Sequence, residues 1–133
     1  MRPAPVRSPA LRAILLIWLI VAVSITHYYA LFAHAHSQML AAFIDRPDLV
    51  FHAAAFALTA LPAFLLWRPA SAIAMGLVAL AGAIELSQLA LSDRDASMID
   101  LGASGVGIVL GAMAAMLLAE LGARYSAALT KVD

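Results

Sequence analysis

Four apolar runs, each about as long as a bilayer is thick, limit what this chain can fold into. A helix that crosses the hydrocarbon core needs roughly 20 mostly apolar residues. Runs of that length cover residues 11–33, 49–67, 71–91 and 99–121. Together they use roughly 80 residues, which leaves only short loops and tails and no room for a soluble domain. The expected fold is therefore an all-α membrane protein, a bundle of four transmembrane helices forming a single domain over residues 1–133. Composition supports this: 65% of residues are hydrophobic, 12% are charged and the mean hydropathy is +0.96. A soluble domain carries about 45–50% apolar and about 25% charged residues. A soluble globule this small keeps too much surface to hide such a content. A disordered chain and a disulfide scaffold are excluded, since apolar residues dominate and cysteine is absent. A nucleic-acid partner is excluded too, because zero net charge supplies no basic field for phosphates.

The runs have recognisable ends. Pro47 and Asp48 open the second, and Arg68-Pro69 close it. Pro62 lies inside it and is expected to kink it, because proline removes a backbone donor. Ser97-Met98-Ile99-Asp100 reads as a capping box ahead of the fourth run. Tyr28, Tyr29 and Trp67 fall where amphipathic rings favour the membrane interface. Arg2, Arg7 and Arg12 followed by Ala33-His34-Ala35 have some features of a cleavable signal peptide. The first run is too long for one and is expected to be retained. Residues 38–44, QMLAAFI, read equally as an interfacial helix or as an apolar loop on the bundle.

Four spans put both termini on one side. That side carries Arg2, Arg7, Arg12, Arg68, Arg124 and Lys131, against Arg46 and Arg94 on the other. The excess places both termini in the cytoplasm and the protein in the inner (cytoplasmic) membrane. The polar residues then gather at the outer face. Asp48 and His52 lie at the start of span two, Glu85 and Gln88 near the end of span three, and Arg94, Asp95 and Asp100 about the start of span four. Helix rise puts His52 about 6 Å below Asp48 and Glu85 about 9 Å below Leu91, at similar depths. A charge in the hydrocarbon is costly, so Glu85 is expected to turn inward to His52 or Arg94. Asp48, at i−4, can orient the His52 imidazole.

These residues resemble the VanZ-like membrane proteins. The matching pieces are Asp48 with His52 and Phe56, Glu85-Leu86-Ser87-Gln88, Arg94-Asp95-Ala96-Ser97-Met98-Ile99-Asp100, and Gly107 with Gly111. They cover most of the last three spans in the family's order and spacing. The chain departs from the family pattern at Leu49, where lysine is frequent, at Phe56, where tyrosine is common, and at Ser104, where asparagine is common. The family takes its name from an accessory protein linked to glycopeptide (teicoplanin) resistance. The resemblance implies an integral membrane protein of the cell envelope and brings no established reaction or cofactor with it.

Each polar residue has a plainer reading. Asp48 favours a helix N-terminus through the dipole, Arg94 suits an interfacial anchor as well as a phosphate grip, and Asp100 belongs to the capping box. A Glu85 hydrogen bond would staple spans two and three. His34-x-His36 is too few ligands for a metal, and nothing in the sequence fixes how His52 and Glu85 would complete one; no metal or cofactor is expected. Gly107 and Gly111 lie in a small-residue stripe from Ala103 to Ala119 that suits close helix packing, within the bundle or in a homo-oligomer. Three functions follow. The first is a polar pocket of Asp48, His52, Glu85, Gln88, Arg94 and Asp100 that binds a lipid-linked or peptidoglycan-related ligand among the membrane lipids. The second is an enzyme using His52 and Glu85 as acid and base on an envelope lipid. The third is a purely structural accessory subunit.

Overall fold

A computed structural model describes residues 8–32, 46–91 and 97–129. The described residues form four helices: α1 (Pro9–Phe32), α2 (Pro47–Leu66), α3 (Ala70–Leu91) and α4 (Met98–Leu129). Each is long and apolar enough to cross a membrane, which makes the chain a multi-pass membrane protein. Residues 38–44, His34, His36 and residues 92–96, with Arg94 and Asp95, lie outside the described residues.

α2 sits at the centre and packs on α1, α3 and α4. Its most extensive contact is with α4. The cause is the small-residue stripe. A Cβ placed on Gly107 would overlap the Ala53 carbonyl oxygen, and one on Gly111 would lie 2.7 Å from the Ala60 Cβ and 3.0 Å from the Leu61 amide nitrogen. Only glycine lets the two backbones come this close. The register also gives direction: Ala53 meets Gly107 and Ala57 meets Gly111, so residue numbers rise together and α2 runs parallel to α4. The stripe thus packs within the bundle.

α3 is held against this pair by bulkier groups. Phe56 and Ala60 of α2, Leu77, Ala81 and Ile84 of α3, and Ile108 of α4 form one buried cluster. α1 turns Leu15, Ala22 and Thr26 inward, at i, i+7 and i+11, and leaves Ile14, Ile17 and Ile20 exposed. Large apolar side chains are likewise exposed on the other helices. That is the surface expected where the solvent is lipid tails.

α2 begins with Pro47 in its first turn, where a missing N–H costs nothing. It continues through the buried Pro62 as far as Leu66. Thr26, Thr59 and Ser104 return their hydroxyl protons to the carbonyls of Ala22, Ala55 and Asp100 in their own helices, which satisfies these polar groups locally. α4 runs eight residues beyond the apolar run that ends at Leu121, as an exposed extension whose Arg124 pairs back to Glu120 within the run. Its 32 residues span about 48 Å at the helical rise, more than a hydrocarbon core of about 30 Å.

Candidate functional site

Three helix ends meet at one end of the bundle. His52 is in the second turn of α2, Glu85 is less than two turns before the end of α3, and Asp100 is in the first turn of α4. With α3 reversed relative to the parallel α2 and α4, these positions come together.

The His52 ring is the hub. Its Nδ1 lies 3.2 Å from the Ser104 Oγ and 3.8 Å from the Glu85 Oε1, and its Nε2 lies 4.0 Å from the Asp100 Oδ2. Side-chain exposure is 12% for His52, 8% for Glu85 and 16% for Asp100, so ring and carboxylates sit largely out of solvent. Ser104 has one hydroxyl proton and gives it to the Asp100 carbonyl, 3.0 Å away. With that proton so placed, the hydroxyl oxygen can accept from an Nδ1–H, the tautomer of His52 whose Nε2 lone pair faces Asp100.

Glu85 has a second role. Its Oε2 accepts the Ser97 backbone N–H at 2.9 Å. The Ser97 hydroxyl accepts the Asp100 N–H at 3.2 Å, which is half of the expected capping box. In the full motif the residue at Asp100 would reach back to the Ser97 N–H. Here Glu85 from another helix takes that donor. The exchange releases the Asp100 carboxylate toward His52 and ties α3 to the start of α4. It leaves the Glu85 Oε1 and the Asp100 Oδ1 buried with no hydrogen-bond partner.

The other expected site residues are distributed differently. The Asp48 carboxylate pairs with Arg46, at 3.0 Å, on the exposed side of the same helix end. This bond, more than the accompanying charge attraction, raises the Arg46 guanidinium above its ordinary value. Orientation of His52 thus falls to Ser104, with Asp48 engaged elsewhere. Gln88 is buried one turn beyond Glu85. Gly107 and Gly111 set the α2–α4 approach just below the site. Ser104 entered the sequence reading only as a departure from a family pattern, yet it is the closest partner of His52. One signal pointed to it: it follows Asp100 at i+4, on the same helix face and one turn before Gly107.

An imidazole between two carboxylates can share a proton, hold a cation or present an acid–base pair. Comparison with protein families, curated proteins and solved structures finds no match to this chain.

Proposed function

We propose that this is a VanZ-like integral protein of the cell envelope, lying in the cytoplasmic membrane with both termini inside. In this reading the polar end of the bundle faces outward and binds a lipid-linked or peptidoglycan-related ligand. One observation carries the reading: His52, Glu85, Asp100 and Ser104, from three separate helices, converge within hydrogen-bonding or near-contact distance at a single end. Ionisable side chains in a span are costly and, as a rule, serve a function. The excess of arginine and lysine on the termini side supports the orientation. The order of Asp48, His52, Glu85-x-x-Gln88, Arg94 and Asp100 supports the family likeness. Arg94, three residues before Ser97 in the sequence, would meet anionic groups of the ligand. A link to glycopeptide resistance rests on that likeness alone.

A structural reading is favoured by one contact, the Glu85 Oε2 acceptor for the Ser97 N–H, which fastens two helices. Binding separates the two. Purified protein in nanodiscs is titrated with a polyprenyl phosphate lipid and, separately, with soluble muropeptide. The site reading expects one of the two to bind wild type, and His52→Ala and Glu85→Gln to weaken it at least about ten-fold while elution and thermal unfolding stay near wild type. Equal binding by all three proteins, or loss only in step with unfolding, would leave the fastening role alone.

A further inference from the structure

The His52–Glu85–Asp100 cluster carries more than a polar lining. One donor atom from each of the three residues lies within 4.8 Å of the other two. Glu85 is more than nine-tenths buried, and its Oε1 points to the imidazole with no hydrogen-bond partner. The Asp100 Oδ1 is also buried and without a partner. Two carboxylates held ionised in a low-dielectric setting around one imidazole are accommodated by positive charge. A proton on His52 supplies one unit and leaves the group net negative. A divalent cation beside a neutral imidazole makes the set neutral, which is how buried carboxylates are commonly accommodated.

We infer that His52, Glu85 and Asp100 form a binding site for a divalent first-row transition-metal cation of the zinc type. The donor set is one imidazole nitrogen and two carboxylate oxygens, which suits zinc or manganese better than the all-oxygen preference of magnesium or calcium. The tautomer fits as well. Ser104 Oγ, 3.2 Å from Nδ1, can take an Nδ1–H, and in that tautomer Nε2 is the ring nitrogen with a lone pair to give. A ligating histidine usually donates its other N–H in this way. The Glu85 Oε2 is anchored by the Ser97 N–H, which positions the free Oε1. Tetrahedral zinc with bonds of about 2.0–2.1 Å places its ligand atoms about 3.3–3.4 Å apart. Nε2 and the Asp100 Oδ2, 4.0 Å apart, need only a small side-chain movement to reach that, whereas the Glu85 Oε1 lies 3.8 Å from Nδ1 and takes a larger adjustment to join Nε2. Three protein ligands leave a coordination position open, as in zinc sites that bind an exogenous ligand. An oxygen of an anionic headgroup suits that position. The inference rests on reading this cluster as a binding site, and goes beyond it in naming the cation.

The test uses the full chain, purified in detergent, stripped with chelator and re-equilibrated with Zn²⁺. Mass spectrometry of bound metal is expected to count one zinc per wild-type chain. Titration against a chromophoric chelator is expected to show affinity at least about ten-fold weaker for His52→Ala, Glu85→Gln and Asp100→Asn, with Mg²⁺ and Ca²⁺ failing to compete. Wild type that takes up no stoichiometric zinc, or three variants that keep it at undiminished affinity, would overturn the site. Should the variants not fold, Co²⁺-loaded wild type gives an independent answer. Visible absorption of a four- or five-coordinate ion is expected, and the spectrum of hydrated Co²⁺ throughout the titration would overturn the inference. Zinc bound without any envelope ligand would refute the proposed function and keep the metal site. Ligand binding lost in His52→Ala without zinc uptake by wild type would do the reverse.

Discussion

The two interfaces of α2 are built on opposite plans. Toward α4 it presents Ala53 and Ala57 to Gly107 and Gly111, and the parallel backbones almost touch. Toward α3 side chains fill the gap: Phe56 shares a buried cluster with Leu77, Ala81 and Ile84 of α3, joined by Ala60 and by Ile108 of α4. Lipid tails are as apolar as these residues, so hydrophobic burial does little to hold the helices together; packing and hydrogen bonds do it. The tight seam gains dispersion contacts along the backbone and has no room for a large polar group. The wider interface loses that closeness and gains room. Where it reaches the bundle end, the space holds an imidazole and two carboxylates. The seam also sets the site's register, since His52 and Ser104 lie just above the Ala53–Gly107 contact.

If the seam is the anchor, crowding it should do the greatest harm. Gly107→Leu would drive a side chain into the Ala53 carbonyl, an obstacle that cannot rotate away. The expected cost is at or above the upper end of the about 1–3 kcal/mol typical of overpacking, read as loss of monodisperse protein and a lower unfolding temperature in detergent. Gly102→Leu is the matched control. It lies on the same helix with nothing within 4 Å of its added Cβ, and should purify as wild type. Equal damage at the two positions would remove the distinction between seam and surface.

The wider interface should respond to chemistry more than to volume. Glu85→Ala removes the acceptor of the Ser97 N–H and opens a void at a buried position. The expected loss is about 1–3 kcal/mol in unfolding measurements, from an unsatisfied donor. Glu85→Gln keeps an amide oxygen for that N–H and should cost clearly less. If the two variants unfold alike, the hydrogen bond does not secure α3 to the start of α4.

The two plans differ in how legible they are from residues alone. The four helices follow from run length and hydropathy, because a membrane span must satisfy its own backbone within one segment. Their ends drift where the chain leaves the apolar run. α4 extends past Leu121 because its following residues favour helix without needing lipid. The glycine stripe is visible as a four-residue repeat, though not which helix it meets. For Glu85 the cost of a charge in lipid and the helix rise point to His52. Asp48 was harder, because the i−4 spacing to His52 says nothing of the competing Arg46 two residues away. The Ser97–Asp100 capping box was half legible, since a local motif cannot reveal that a third helix supplies the acceptor. Ser104 was hidden for the same reason: its role exists only once α2 and α4 are parallel and in register.

The smallest expected effect is also the most selective. Ser104→Ala deletes the hydroxyl that lies 3.2 Å from the His52 Nδ1 and donates to the Asp100 carbonyl. Hydrogen bonds between membrane helices contribute about 0.6 kcal/mol on average. Alanine fits the buried position and is a good helix former, so the unfolding temperature should fall only slightly. The ring, however, loses the contact that fixes its tautomer and direction. Nitrogen NMR of the labelled histidine ring should then show a mixture of the two neutral tautomers in Ser104→Ala, where wild type shows the Nδ1–H form. An unchanged spectrum would mean that Glu85 and Asp100 orient His52 unaided, and that the seam supplies proximity without setting the ring's orientation.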